Sequence, residues 1–453
     1  MTGRQKTIIA LASGAGRAGV AVLRASGPDA MALLLTLSGP TPPPPRVASV
    51  RVLRNTAGLS IDEALVIGMP GPHSFTGEDV VEFHVHGGGA IVASVLQAAT
   101  STGLCRIADP GEFTRRAFEN GRIDLTRAEA IADLVDAETE GQLRQAQRLY
   151  AGEAQRTFDD WREDLLNAMA SLEAAIDFPD EADVPPEVAR AALAPIAKLA
   201  GGLEDALSLS GRLEAVREGF RVAILGAPNA GKSSLLNRLA RREAAIVSPI
   251  PGTTRDVVEV RVILNGYPVW IADTAGLRDA SDAIEAEGVR RALERAENAD
   301  LRVWVVDVSR ETSPEPLSGP VPGDLLVLNK TDLGAKTGVS RETLDPDGRL
   351  EVVEVSALTG SGLESLEYRL AEIVRDRLAT DEPPLVTRAR HRELVELALF
   401  HVKHALAGAE TGAAAELVSE DLRLAARALG RVTGTVDVED LLDRVFSAFC
   451  IGK

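Results

Sequence analysis

At 453 residues the chain exceeds the roughly 250–300 residues at which one hydrophobic core stops growing, so two or three domains are expected. Its 45% hydrophobic and 26% charged residues are those of an ordinary globular protein, and a net charge of −18 excludes a broad basic surface for nucleic acid, though not a local basic patch. Two cysteines, Cys105 and Cys450, exclude a disulfide framework and fit a cytosolic compartment; the N-terminus has no signal-peptide layout, and no apolar run reaches the length of about 18 residues that a membrane span needs.

Residues 1–119 read as mixed α and β. Short β-rich runs recur at Val20–Leu23, Val47–Leu53, Ala64–Ile67 and Val80–His86, broken by clusters such as Gly68-Met69-Pro70-Gly71-Pro72. Pro42 to Pro45 reads as a stiff exposed loop. From about 123 to 215 the pattern is helical, with Leu165, Met169, Leu172 and Ile176 on one face, and Pro179, Pro185 and Pro186 divide it into separate helices. A second helical block starts near 386, where Val395, Leu399, Val402 and Leu406 repeat the spacing. Strands and helices alternate between the two blocks. The expected layout is an α+β N-terminal domain (1–119), an all-α central helical domain built from 120–216 and 380–453, and an α/β P-loop (Ras-like) G domain inserted at 217–379.

The inserted segment carries the most specific chemistry. Phe220 to Leu225 reads as a buried strand. It runs into Gly226-Ala227-Pro228-Asn229-Ala230-Gly231-Lys232-Ser233 and then an apolar helix from Ser234, the phosphate-loop pattern in its strand–loop–helix context. Its glycines let backbone N–H groups of Asn229, Ala230 and Gly231 converge on phosphate, and the helix N-terminus adds a favourable dipole. Lys232 is expected on the β- and γ-phosphates and the Ser233 hydroxyl on Mg²⁺. Asp273-Thr274-Ala275-Gly276 puts an acidic residue at a strand end, within reach of Mg²⁺ through water, and a Gly276 N–H near the γ-phosphate. Asn329-Lys330-Thr331-Asp332 follows a strand; the Asp332 carboxylate can accept two hydrogen bonds from guanine that adenine cannot offer. Ser356-Ala357-Leu358 can supply backbone contacts to the base. The segment Ser248 to Asp256 contains Thr253 and Thr254 in a loop able to close over the γ-phosphate, with Thr254 on Mg²⁺; a plain β-turn is the alternative.

Many GTPases orient water with a Gln after the Asp-x-x-Gly loop, but Leu277 stands there. Asn229 could instead ligate a monovalent cation beside the phosphates, and the acidic run from Arg278 to Glu285 offers water-positioning carboxylates among which sequence alone does not choose. His84 and His86 alternate on a strand and His401 and His404 lie three apart on a helix. Neither pair has companions at metal spacing, so both read as structural.

These features resemble the bacterial tRNA-modification GTPase family MnmE, also called TrmE, over essentially the whole chain. Besides the G-domain loops, Ser74 to Asp79, Pro110 to Thr114, Asp124 to Asp133 and above all the terminal Phe449-Cys450-Ile451-Gly452-Lys453 match the family signatures. The resemblance implies a GTP hydrolase using Mg²⁺ and K⁺, whose G domains dimerise across the cation. K⁺ would sit on Asn229, Ser248, Ile250 and Thr253, Mg²⁺ on Ser233 and Thr254, and Glu285 would orient water, with Lys232 and Arg278 the other catalytic candidates. It implies a cytoplasmic homodimer formed through the N-terminal domain, and a heterotetramer with an FAD- and NADH-using partner of the MnmG type. Together these install an aminomethyl or carboxymethylaminomethyl group on C5 of the wobble uridine, position 34, of certain tRNAs. Arg24, Glu82, Arg122 and Lys453 would hold 5-formyltetrahydrofolate or a related folate as one-carbon donor. Arg122 stands where a relative has Lys, keeping the charge but changing the geometry. Ala227 replaces a larger residue. Cys450 is a candidate nucleophile, or else a small buried apolar residue. A regulatory or ribosome-assembly GTPase is the competing reading.

Overall fold

The computed structural model describes residues 6–177, 186–242, 259–273, 297–310, 320–334, 348–436 and 439–447, with Phe449 and Gly452. The chain divides into two compact units, one of Met1–Ala132, Leu149–Ala200 and Leu394–Lys453, the other of Asp133–Arg148 and Gly201–Glu393.

The first unit is built on a six-stranded sheet of order β3-β4-β5-β2-β1-β6, from β1 (Thr7–Leu11), β2 (Ala18–Ser26), β3 (Ser49–Arg54), β4 (Ser60–Met69), β5 (Val80–Gly87) and β6 (Cys105–Ile107). Every pairing is antiparallel except β1 with β6. Side chains alternate across a strand, and β1 uses both faces. Ile9 joins Leu23 and Phe83 in a core with Leu33 and Leu34 of helix α1 (Ala30–Ser38) and Val95 of α2 (Gly89–Ser101). Ile8 and Ala10 face the other way, onto Phe113 of α3 (Glu112–Glu119).

Helix α4 (Leu125–Asp136) starts where it does because the Asp124 carboxylate caps it, accepting from the backbone N–H of Thr126 at 2.7 Å and of Arg127 at 3.2 Å. α5 (Glu140–Tyr150) and α6 (Glu153–Asp177) follow, and α7 (Pro186–Glu218) has Pro186 as its first residue, where a missing N–H is harmless. Of the expected stripe on α6, Leu165, Met169 and Leu172 are buried, and the Ile176 side chain lies outside the described residues.

The second helical block holds α10 (Ala389–Thr411), α11 (Ala415–Thr433) and α12 (Glu439–Ser447). On α10 the fully buried positions are Val395, Ala398, Val402 and Ala405, while Leu399 and Leu406 are only half-buried. The small alanines, not the flanking leucines, face inward. α6 and α11 pack together, and α12 lies on α3, where the Gly111 backbone, at φ 69, approaches Phe446 too closely for a Cβ.

The second unit carries the other six-stranded sheet, order β12-β11-β10-β7-β9-β8: β7 (Phe220–Leu225), β8 (Glu259–Leu264), β9 (Tyr267–Asp273), β10 (Leu301–Asp307), β11 (Leu325–Asn329) and β12 (Glu351–Glu354). All pairs are parallel except β8 with β9. The chain builds outward from β7 to one side through β9 and β8, then to the other through β10, β11 and β12. This reversal opens a crevice beyond the carboxyl ends of the central strands. One face packs on Leu235, Leu236 and Leu239 of α8 (Lys232–Arg242) and Leu366, Leu370 and Val374 of α9 (Leu363–Leu378). The opposite face buries Leu225, Trp304, Leu326 and Leu328.

Candidate functional site

The loop from β7 to α8 wraps the top of the sheet at that crevice. Gly226, at φ 140, has its backbone so near Val305 that a Cβ would fall 2.2 Å from the Val305 carbonyl oxygen. Gly231, at φ 98, would drive a Cβ to 2.2 Å from Asn329 Nδ2. Both glycines are therefore demanded by closeness as well as by conformation. Asn229 takes the left-handed conformation without being glycine, φ 63. Lys232 is buried, and its Nζ donates to the carbonyls of Gly226 at 2.7 Å and Ala227 at 2.9 Å, across the mouth of the loop.

The hydroxyl of Ser233 donates to Asp273 Oδ2 at 2.5 Å, so the first turn of α8 and the end of β9 bring an alcohol and a buried carboxylate together. That is an all-oxygen donor set of the hard kind that Mg²⁺ takes.

The far wall comes from β11 and the segment after β12. Asn329 is buried and staples two loops: its Nδ2 donates to Ala230 O at 2.8 Å and its Oδ1 accepts from Ala357 N at 3.0 Å. Asp332 is exposed and its Oδ1 accepts from the Ser356 hydroxyl at 2.5 Å. Gly231, Ser234, Lys330, Asp332, Ala357 and Leu358 share one cavity of about 530 Å³. Of the sequence-derived residues, Gly231, Ser234, Asn329, Lys330, Asp332, Ala357 and Leu358 thus line one cavity.

Two contributors were missed by sequence reasoning. Arg238, two turns into α8, donates from Nε to Ala357 O at 3.1 Å and from Nη2 to Leu358 O at 2.7 Å, holding the 356–358 segment in place. Asp307, at the end of β10, accepts from Lys330 Nζ at 2.6 Å. Burial works against its ionisation, but hydrogen bonds from Lys330 and Ser309 outweigh it and hold the carboxyl below the usual range. The only signal available was an acidic residue closing the apolar run Val303 to Val306.

In the first unit, Arg24 and Glu82 are register partners on β2 and β5, with Arg24 Nε 2.9 Å from Glu82 Oε1. His84 Nε2 lies 3.1 Å from the other oxygen. The Phe75 ring lies 5.9 Å from the Arg24 guanidinium carbon. Arg122 runs its stem past Gly77, where an added Cβ would lie 3.4 Å from the Arg122 Cγ, and the Asn120 side chain donates to Thr76 O at 2.7 Å. Gly452, φ 100, is buried against β1, where a Cβ would meet Leu11 O at 1.9 Å. The terminal segment therefore reaches the sheet one residue from Ala10, whose register partner is Arg24. His401 and His404 both engage Asp421, at 3.0 and 2.6 Å.

Ser248, Ile250, Thr253, Thr254, Thr274, Ala275, Gly276, Leu277, Arg278, Glu285, Cys450 and Lys453 lie outside the described residues.

A parallel sheet with a glycine loop at its switch point, a Ser–carboxylate pair beside the loop and an Asn/Asp-lined cavity beyond it defines a P-loop nucleotide-binding protein with an inserted G domain. Family models described as "MnmE helical domain" and "GTP-binding protein TrmE N-terminus" match residues 125–450 and 7–122. Proteins named tRNA modification GTPase MnmE from Maricaulis maris, Phenylobacterium zucineum and Caulobacter vibrioides are 54%, 51% and 50% identical over 448, 449 and 453 residues, in each case 99% of this chain and 99% of the relative. The chain belongs to the MnmE family.

Proposed function

We propose that this chain is a K⁺-activated GTPase that works in tRNA modification, acting with a flavin-dependent partner of the MnmG type on C5 of the wobble uridine. The observation that carries the nucleotide assignment is the pair Asp332–Ser356, with Asp332 lining the same cavity as Gly231 of the glycine loop and Ser234 of α8. One oxygen of Asp332 is oriented by a hydroxyl while the carboxylate remains exposed, as an acceptor for the guanine N1–H and 2-amino group must be.

In this reading Asn229 to Ser234 bind the phosphates, Ser233 and Thr254 hold Mg²⁺, and Asp273 supports it through water. Asn229, Ser248, Ile250 and Thr253 hold K⁺, and Glu285 orients the attacking water, with Arg278 a further catalytic candidate. The two cations supply positive charge where negative charge develops on the transferred phosphoryl group. The buried ammonium of Lys232, bonded to two loop carbonyls, is placed to turn onto phosphate oxygens with little loss of side-chain freedom.

The N-terminal unit is read as the homodimer-forming part and as a folate site. Arg24 and Glu82 side by side offer a cation for a glutamyl carboxylate and an acceptor for pterin N–H groups, Arg122 and Lys453 add positive charge, and the folate supplies the one-carbon unit. The burial of Gly452 against Leu11 supports a role for the C-terminal signature in this unit. The domain limits 1–119, 120–216, 217–379 and 380–453 go with this division of labour, as does a cytoplasmic location. No described helix is long and apolar enough to cross a membrane.

The test is twofold. Purified protein should turn over GTP and not ATP. Mass spectrometry of tRNA nucleosides from cells lacking it should show wobble uridines stripped of the C5 group; unchanged nucleosides would favour a GTPase whose output is binding alone.

A further inference from the structure

Asp307 has no role in the scheme above, yet it is built into the rim with unusual completeness. It closes β10 opposite Asn329 in the β10–β11 register. Its Oδ1 accepts from Ser309 N at 3.0 Å and Ser309 Oγ at 2.6 Å, which fixes the carboxylate plane. Its Oδ2 is then directed at Lys330 Nζ, 2.6 Å away. Lys330 itself lines the nucleotide cavity and holds the left-handed conformation, φ 67, that places its side chain there.

A lysine stem has four rotatable bonds, and ordering it on ligand binding costs affinity. Anchored at its far end, the stem becomes a fixed apolar wall while the charge stays satisfied. We propose that Asp307 is a positioning residue for guanine recognition: it holds the Lys330 ammonium so that the lysine stem forms a standing wall of the base pocket. The proposal rests on the GTP-site reading. A pre-set wall acts on the base, so its loss should weaken every guanine ligand by the same factor, whatever its phosphates, and leave the chemical step alone.

The experiment uses the full-length protein and the fluorescent probe mant-GDP, with guanosine and GTP as competitors. Asp307→Asn removes the charge with almost no change of shape. A charge-assisted hydrogen bond contributes enough that about tenfold weaker binding of all three ligands is expected, with kcat at saturating GTP unchanged and KM raised in proportion. Asp307→Glu, which keeps the charge, should recover part of the affinity and provides the comparison if Asp307→Asn is poorly folded. In the pair Asp307→Asn and Lys330→Met, the double variant should bind no worse than Lys330→Met alone, because both remove one interaction. A merely structural Asp307 would give additive losses, or lower kcat together with affinity, and either result overturns the proposal. So does unchanged mant-GDP affinity in Asp307→Asn beside a wild type that binds tightly, a result that leaves the GTP-site reading standing. A wild type that binds ATP as well as GTP and ignores guanosine overturns both.

Discussion

Single side chains at the cavity make the sharpest statements. In the proposed reading the Asp332 carboxylate accepts two hydrogen bonds that adenine cannot offer, so Asp332→Ala should erase a preference for GTP over ATP on the order of 10⁴, read by nucleotide competition. Retained preference in a folded variant would mean that the base is recognised elsewhere. The carboxyl of Asp307 is held below its ordinary range. A depressed carboxyl stabilises the fold at all pH values above its unfolded pKa of about 4, and that stabilisation is lost as pH falls through the lower folded value. Nucleotide affinity should therefore be level in its Asp307-dependent part from pH 7 to 5 and fall only below about 4, whereas Asp307→Asn should show no such step. Cys105 differs in kind: burial pushes its thiol up to about 11, against a small opposing effect of Lys6. It should resist iodoacetamide at neutral pH and react only on unfolding, as peptide mass spectrometry would show.

At the scale of elements, the turn before α8 and the C-terminal Gly452 are two of the places where backbone packs on backbone without room for a side chain. Gly452 is the clearer case, since both its φ of 100 and the 1.9 Å approach of a Cβ to Leu11 O forbid alanine. Gly452→Ala should act like deletion of Gly452 and Lys453: GTP hydrolysis spared, tRNA modification lost. Parallel loss of both activities would show that the tail supports the fold of the enzyme as a whole. The stripes on α6 and α10 show what periodicity reads and what it misses. Leu165, Met169 and Leu172 were visible as a buried face, but on α10 the helix turns so that Ala398 and Ala405 meet the core while Leu399 and Leu406 are half out. Hydrophobic spacing marks the side of a helix that packs; the distance to its neighbour decides whether small or large residues occupy the centre of that side.

For the whole molecule, the cation should couple chemistry to assembly. Leu277 cannot orient water, so a cation of K⁺ size at Asn229 should be required for fast hydrolysis and should promote association of two G domains. At equal ionic strength, turnover should be fast in KCl and RbCl and slow in NaCl and CsCl, with dimerisation measured by light scattering following the same order. Asn229→Ala should be slow in all four salts while still binding GTP. Equal rates across the salts would reject the cation and return attention to Arg278 as an internal arginine finger.

The strand–loop–helix order, the phosphate loop, Asp273, Asn329, Asp332 and the interruption of a helical domain were all legible in the chain, because each is encoded by residues adjacent in sequence: a loop must curl, a strand must end, a helix must begin. Asp307 and Arg238 were not legible. Each acts on a partner between 23 and 120 positions away, and only strand register or helix packing sets which partner that is. Asp307 meets Lys330 because β10 and β11 lie side by side in parallel, and Arg238 meets Leu358 because α8 shares one hydrophobic core with the segment that follows β12. The terminal glycine shows the same division. Its place in a recognisable pentapeptide is a property of sequence, but its contact with Leu11 depends on the chain's last residues returning to its first strand, and no local rule contains that distance.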